Sequence, residues 1–226
     1  MRIGGRRTGL TKWLRFMDNA FEPFDGEDAV CMYRQGVPHW RRKGCTYFVT
    51  FILWDALPRK VLGEFGVYAE RWMKAHPTPW TEAVYREYRR RIVSRIHKWL
   101  DAGHGQCLLA DGQNATILER AMHHFDGEHF YLDAYVIMPN HAHMLVKPRQ
   151  DMDLEELLFT WKTVSSRLMN RPSIRRGSVW LENHLDHVVK TKSCLDRYRK
   201  YIELNPVRAG LDKGAFIQRR GKGITA

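Results

Sequence analysis

The amino-acid sequence predicts an α+β protein in which an antiparallel sheet carries helices on one face. Segments dense in β-branched and aromatic residues alternate irregularly with segments of helical periodicity. A parallel, doubly wound fold would show a regular strand–helix repeat instead. Two strand-like segments, 129–138 and 141–147, are separated only by Pro139 and Asn140, and so short a connection indicates a hairpin.

Three regions follow from composition. Residues 1–43 are rich in Gly and Arg without sustained periodicity, so we expect a basic N-terminal arm. Residues 44–211 hold the strand and helix patterns and should form the folded domain. Residues 212–226 contain four basic and one acidic residue, and predict a basic C-terminal tail.

The first half of the domain begins with residues 47–53, a nearly continuous run of β-forming residues that predicts a central strand. Thr81 is a suitable cap for a helix that reaches about Asp101, because large apolar residues recur there at helical spacing. We expect a short edge strand at 106–109 and a second helix at about 112–125.

The second half follows the hairpin. Asp153 can cap a third helix that runs to about Asn170. Residues 178–189 predict another strand or extended segment, and residues 194–204 the last helix. Since a proline disfavours helical geometry in the residue before it, Pro206 should end that helix at Asn205.

The net charge is +12, from 37 basic and 25 acidic residues. This excess favours a polyanionic partner, with nucleic acid as the leading candidate. The four cysteines lie far apart, which is typical neither of a zinc ribbon nor of a disulfide framework. We expect a cytoplasmic protein, because no secretory signal or membrane-spanning stretch is evident.

The strongest candidate for chemistry is the pair His141 and His143. Side chains two residues apart on a strand point to the same face, whereas Ala142 points to the other. Such a pair is more often ordinary sheet surface than a metal site. Here Ala142, Met144 and Val146 supply the apolar face, so the histidine face is available to bind a cation. Imidazole accepts Mn²⁺ better than Mg²⁺.

Tyr201 and Asn205 form the second candidate, because residues four apart share one face of a helix. Taken alone, the tyrosine is more often packing and the asparagine a helix cap. A phenol is protonated at neutral pH and needs a nearby Lewis acid or base to attack phosphorus. The histidine pair could hold that metal, so the two candidates together suggest a metal-assisted tyrosine nucleophile.

Three blocks carry a resemblance to a known family. They are Tyr47-Phe-Val-Thr50, Val136-Ile-Met-Pro-Asn-His-Ala-His-Met-Leu-Val146 and Tyr201-Ile-Glu-Leu-Asn-Pro-Val-Arg-Ala-Gly210. Together they resemble the signature blocks of the single-tyrosine HUH transposases, and within that family the REP-associated tyrosine transposases. The similarity extends from about residue 40 to 211.

The resemblance implies a ferredoxin-like sheet and a divalent cation, Mg²⁺ or Mn²⁺. It places the nucleophile on Tyr201 and the metal ligands on His141, His143 and Asn205. It also implies that the protein cleaves single-stranded DNA near an imperfect, REP-like hairpin and leaves a 5′-phosphotyrosine. Since Asn205 lies four residues after Tyr201, we favour Tyr201 over Tyr198 as the nucleophile.

Basic clusters accompanied by tryptophans indicate where DNA could bind, through backbone neutralisation and base stacking. Trp161 and Trp180 accompany these clusters. The candidate contacts are Trp40, Arg41, Arg42, Lys43, Lys162, Arg167, Arg175 and Arg176. With DNA as the partner we expect a nucleoid-associated protein, either a monomer or a homodimer.

Two other functions remain open at this point. A domesticated relative could bind hairpin DNA or repress genes without cutting. A metal-dependent RNA nuclease could use the histidines while Tyr201 only packs. A stable adduct between protein and nucleotide would exclude the nuclease, because hydrolysis leaves none.

Overall fold

The structure is a computed structural model of the 226-residue chain. It describes residues 31–34, 38–41, 44–76, 83–84, 87, 90–91, 94–170, 177–182, 184–189 and 191–220.

A five-stranded antiparallel sheet forms the centre of the molecule. Its strands are β3 (Thr46–Ile52), β4 (Phe130–Ile137), β5 (His141–Pro148), β6 (Leu185–Val189) and β7 (Ile217–Arg220), in the order β6-β3-β5-β4-β7. The order of the first four is that of a ferredoxin-like sheet. The predicted α+β class is therefore confirmed, as is the hairpin between β4 and β5.

Five helices are described, and each is named here with its bounds: α1 (Arg59–Ala75), α2 (Ser94–Asp101), α3 (Gly112–His123), α4 (Leu154–Met169) and α5 (Lys192–Arg208). Asp153 caps α4 as predicted, since its side chain accepts hydrogen bonds from the backbone N–H groups of Glu155 and Glu156. Among these helices, none combines the length and the apolar character needed to cross a bilayer.

The two faces of the sheet bury different helices. Val49, Ala142 and Met144 lie in the larger apolar cluster, together with side chains from α1 to α4. Phe48 and Leu145 lie in a smaller cluster with α5. The expectation of helices on one face thus describes α1 to α4, and α5 covers the second face. His141 and His143 have the same parity as Leu145, so they face α5.

One local prediction fails, and one helix was missed. Residues 106–109 form no edge strand, because Cys107 adopts a left-handed conformation with φ of 50° and the chain turns into a short 3-10 helix at Leu108–Ala110. The helix α1 was not predicted from the sequence. Of the helix expected from Thr81 to Asp101, the described C-terminal part is α2.

The last helix also differs from its prediction. It does not end at Asn205 but continues to Arg208, with the buried Pro206 inside it. Gln218 on β7 donates a hydrogen bond of 2.7 Å to the carbonyl of Ile202, which Pro206 cannot serve because it has no N–H group. The proline is thus accommodated by a contact from another strand.

Both chain ends contribute strands. Residues of the expected N-terminal arm form a two-stranded hairpin from β1 (Cys31–Arg34) and β2 (Pro38–Arg41). β7 lies in the expected C-terminal tail and pairs with β4 at the edge of the main sheet. The division of the chain at residues 43 and 211 stays a prediction. Part of the expected tail takes part in the main sheet as β7.

Candidate active site

The site is built on the first residues of strand β5. His141 and His143 are both fully buried, and their ring centroids lie 4.7 Å apart. Because β5 pairs with β3 and β4 on its two sides, its backbone is fixed and the two imidazoles share one direction. The histidine pair therefore has the arrangement that the sequence predicts.

The tautomer of His141 is set by Asn140. The Nδ2 group of Asn140 donates to the carbonyls of Leu100 and His104 at 3.0 and 3.1 Å, which leaves its Oδ1 as an acceptor. That oxygen lies 2.7 Å from Nδ1 of His141, so Nδ1 carries the proton. Nε2 of His141 consequently has a lone pair, and this buried atom has no hydrogen-bond partner among the described residues.

His143 is held in a similar way from the neighbouring strand. Its Nδ1 lies 2.9 Å from the hydroxyl oxygen of Thr50, its partner in the β3–β5 register. Its Nε2 lies 3.4 Å from the Tyr201 hydroxyl. Both imidazoles thus present Nε2 to the same space between the sheet and α5.

Helix α5 supplies the other two predicted residues. Tyr201 and Asn205 lie on one face of the helix, and Nδ2 of Asn205 lies 3.4 Å from the Tyr201 hydroxyl, to which it donates. Tyr198 lies elsewhere: its ring stacks on Phe48 with centroids 4.3 Å apart. The structure therefore brings Tyr201 to the histidines and leaves Tyr198 in the apolar packing.

The site residues fit a divalent cation. Oδ1 of Asn205, like Nε2 of His141, is buried without a hydrogen-bond partner among the described residues. Buried polar atoms without partners are uncommon and costly, unless a ligand satisfies them. Two imidazole nitrogens and one amide oxygen form a neutral donor set of the kind that Mn²⁺ accepts. His141, His143 and Asn205 are thus the residues that could hold the ion.

Electrostatics keep the histidines in the form that binds metal. Burial lowers the pKa of His141 to about 3, the charge of nearby His97 contributes to this shift, and the Asn205 side chain opposes it. Burial also lowers the pKa of His143 well below its ordinary value, and His141 and His97 add to the effect. Both imidazoles are therefore neutral at physiological pH, as metal ligands must be.

The phenol is held in its protonated form. Burial raises the pKa of Tyr201, and the negative charge of Asp101 raises it further, whereas Arg208 and Asn205 act in the opposite direction. The guanidinium of Arg208 lies 5.6 Å from the centroid of the Tyr201 ring. Without a Lewis acid or a base, the phenol would be a poor nucleophile at neutral pH.

Sequence reasoning missed two residues of α2. The ring centroid of His97 lies 5.4 Å from that of Tyr201 and 5.3 Å from that of His143. Asp101 accepts a hydrogen bond of 3.2 Å from Nδ2 of Asn205. Their spacing of four residues in a predicted helix was the available signal, because it places both on one face.

A second group of possible metal ligands lies on the opposite face of the sheet. Glu155, His184 and Asp186 place their ligand atoms within 4.8 Å of one another. Asp186 pairs with Val49 and so shares its face, away from α5. Nε2 of His184 lies 3.8 Å from a carboxylate oxygen of Glu155. This group adjoins neither Tyr201 nor Asn205.

The predicted DNA contacts have different surroundings. Lys162 donates from its ammonium to the carbonyls of Leu181 and Glu182, at 3.0 and 3.2 Å, and lies over the Phe51 ring. Its charge is thus engaged within the protein. Trp161 and Trp180 are buried in the larger apolar cluster, so they are core residues and not stacking platforms.

For the other predicted DNA contacts, the structure gives at most a position in the fold. Arg167 is exposed in the last turn of α4. Trp40 and Arg41 belong to β2. The remaining predicted contacts, Arg42, Lys43, Arg175 and Arg176, lie outside the described residues.

Comparison with curated proteins and with solved structures gives two findings. No curated protein matches the chain. Among solved structures, one described as the REP-associated tyrosine transposase bound to a REP hairpin is similar over 77% of this chain and 76% of its own, with 17% identity and a TM-score of 0.40. The hairpin named in that description is a ligand of that protein.

The family comparison is more specific. Residues 108–205, slightly less than half of the chain, match the model of the family described as Transposase IS200 like. The matched segment contains His141, His143, Tyr201 and Asn205. The transposase family predicted from the sequence is thus confirmed over residues 108–205, the segment of this chain that matches the model.

Proposed function

We propose that this protein is a metal-dependent, site-specific endonuclease and strand transferase that acts on single-stranded, REP-like hairpin DNA through Tyr201. The observation that carries the proposal is the meeting of four groups in one buried space. The Tyr201 hydroxyl lies 3.4 Å from Nε2 of His143, and the unpartnered atoms of His141 and Asn205 adjoin it.

Each residue has a distinct role in this mechanism. The oxygen of Tyr201 attacks the scissile phosphorus and forms a phosphotyrosine bond, while the bond from phosphorus to the 3′ oxygen breaks. The phenol gives up its proton to a base and the departing 3′ oxygen takes one up, so a free 3′ hydroxyl remains. His141, His143 and Asn205 would hold a divalent ion, which would supply Lewis-acid polarisation of the phosphate oxygens.

Resealing needs no external energy source. The bond from phosphorus to Tyr201 replaces the broken bond from phosphorus to the 3′ oxygen, so the phosphorus remains a diester. A 3′ hydroxyl can therefore attack it and release Tyr201. The net charge of +12 supports a nucleic-acid substrate. We expect the protein to act at the nucleoid, as a monomer or homodimer.

The test compares wild type, Tyr201→Phe and Tyr198→Phe on labelled single-stranded hairpin DNA with Mn²⁺, under denaturing electrophoresis and mass mapping. Wild type and Tyr198→Phe should form a covalent adduct on Tyr201, and Tyr201→Phe should form none. An adduct in Tyr201→Phe would show that another residue is the nucleophile. If all three proteins bind the hairpins tightly and none cuts, a non-cleaving hairpin-binding protein is the correct function.

A further inference from the structure

We propose that Asp101 is a positioning residue that turns the carboxamide of Asn205 so that its oxygen faces the metal position. The inference rests on the function proposed above and extends it to a residue outside the segment 108–205 that matches the family. It starts from a property of asparagine. The two ends of a carboxamide have nearly the same shape, but only the oxygen can bind a cation.

The surroundings of Asn205 decide which end points where. Asp101 offers a carboxylate, which accepts hydrogen bonds and donates none when ionised. Nδ2 of Asn205 donates to this carboxylate at 3.2 Å. Rotation of the amide by half a turn would bring two oxygens into contact on this side, so the NH₂ group is fixed towards α2.

The opposite end of the same amide is thereby aimed at the site. Oδ1 of Asn205 is buried and has no hydrogen-bond partner among the described residues, and Nε2 of His141 shares this state. Asn205 is itself fully buried, so solvent cannot compensate its oxygen. This oxygen is therefore already oriented as a cation ligand before an ion binds.

Asp101 is in turn held by the hairpin that carries the histidines. Asn140 donates to the carbonyl of Leu100, the residue before Asp101, at 3.0 Å. The same side chain accepts from Nδ1 of His141. Through Asn140, the end of α2 keeps one position relative to the histidine pair. Arg208 lies close enough to act electrostatically on the Asp101 carboxylate.

The test uses the full-length, metal-free protein and measures Mn²⁺ affinity by calorimetry. Four proteins form a cycle: wild type, Asp101→Asn, Asn205→Asp and the double variant. Glu203→Gln is the matched control, because it removes an exposed carboxylate from α5, away from the amide. Melting temperatures of the metal-free proteins report whether each variant is folded.

In the wild-type background, Asp101→Asn should weaken Mn²⁺ binding about 10- to 100-fold, since an amide at position 101 no longer selects one orientation. In the Asn205→Asp background, both ends of residue 205 are oxygen and need no orientation. The same change should there weaken the affinity much less than in the wild-type background, because only the loss of one negative charge near the cation remains. Glu203→Gln should change the affinity by less than about twofold.

Three results would overturn the inference. Equal weakening in both backgrounds would make Asp101 a metal ligand or a general electrostatic contributor. No effect in either background would leave it without influence on the metal. Wild type that binds no Mn²⁺ would overturn the proposed function together with this inference, so the two failures are distinguishable.

Discussion

Gln218 donates a hydrogen bond of 2.7 Å to the backbone carbonyl of Ile202, across from the edge strand β7 to the helix that carries Tyr201. Within an α-helix this carbonyl would accept from the N–H group of residue 206, which here is proline and has none. The contact lies one residue from Tyr201 in sequence. It therefore ties the helix that carries Tyr201 to the edge strand β7.

The role of this contact can be tested with a double-mutant cycle at Gln218 and Pro206. Gln218→Leu should lower the free energy of unfolding by about 1–3 kcal/mol, because the Ile202 carbonyl loses its partner. In a Pro206→Ala background the loss should be smaller, since the substituted residue has an N–H group that can donate to that carbonyl. Urea denaturation measures both values. The exposed Arg220→Gln in the same strand is the control and should have an effect within about 0.5 kcal/mol. Equal losses in the two backgrounds would contradict this role of Gln218.

A second tie joins α5 to β4. Nε and a terminal nitrogen of Arg199 donate to the two oxygens of Asp133, at 2.7 and 2.8 Å, and Asp133 is 1% exposed. Arg199→Ala should therefore destabilise the protein by about 3 kcal/mol, because it leaves a buried carboxylate without its guanidinium.

Lys200→Ala is the matched control for this prediction. Its ion pair with Glu203 is exposed on both sides, so its loss should change the free energy of unfolding by less than about 0.5 kcal/mol. Chemical denaturation of the two variants gives the comparison. Similar values for both would show that the Arg199 pair contributes no more than a surface contact.

The buried histidines predict how stability depends on pH in the metal-free protein. Burial lowers the pKa of His141 to about 3, against an ordinary value of 6.5 that applies to the unfolded chain. Below about pH 6.5 the unfolded chain thus takes up a proton that the folded chain refuses. The stabilisation that comes from keeping His141 neutral in the folded chain is therefore complete above this pH and is lost as the pH falls towards 3.

The expected loss is on the order of 1 kcal/mol per pH unit for each such histidine. His141→Gln cannot titrate, so its free energy of unfolding should fall less steeply between about pH 6.5 and 5 than that of wild type. Urea denaturation at three pH values checks this. Identical slopes in the two proteins would mean that His141 is protonated in the folded state.

The four groups of the proposed site could be predicted because each pair follows from local geometry. His141 and His143 share a strand face, and Tyr201 and Asn205 share a helix face, whatever the rest of the chain does. The contact between Asp101 and Asn205 joins residues 104 positions apart and depends on how α2 packs. Local patterns contain no information on it.

The wrong predictions have similar physical causes. The strand expected at 106–109 is replaced by a turn because the backbone of Cys107 takes a positive φ, which residue type alone does not indicate. The end of α5 was placed at Asn205 from Pro206 alone. The partner that accommodates this proline, Gln218, lies in a segment whose basic composition indicated a tail.

Arg208 gives the last prediction, which concerns Tyr201, the proposed nucleophile. Its guanidinium lies 5.6 Å from the Tyr201 ring and lowers the pKa of the phenol, against the opposing effect of burial. Arg208→Gln should raise that pKa and slow DNA cleavage roughly tenfold at neutral pH, the equivalent of about one pKa unit. Arg208→Lys keeps the positive charge and should retain most of the rate.

Single-turnover cleavage of hairpin DNA between about pH 6 and 9 separates this effect from DNA binding. If Arg208 acts on the phenol, the rate of Arg208→Gln at saturating DNA should rise with pH along a curve displaced towards alkaline values. If Arg208 only contacts the DNA backbone, the variant should need more DNA for saturation and keep the wild-type rate and pH profile. The second result would remove Arg208 from the activation of Tyr201.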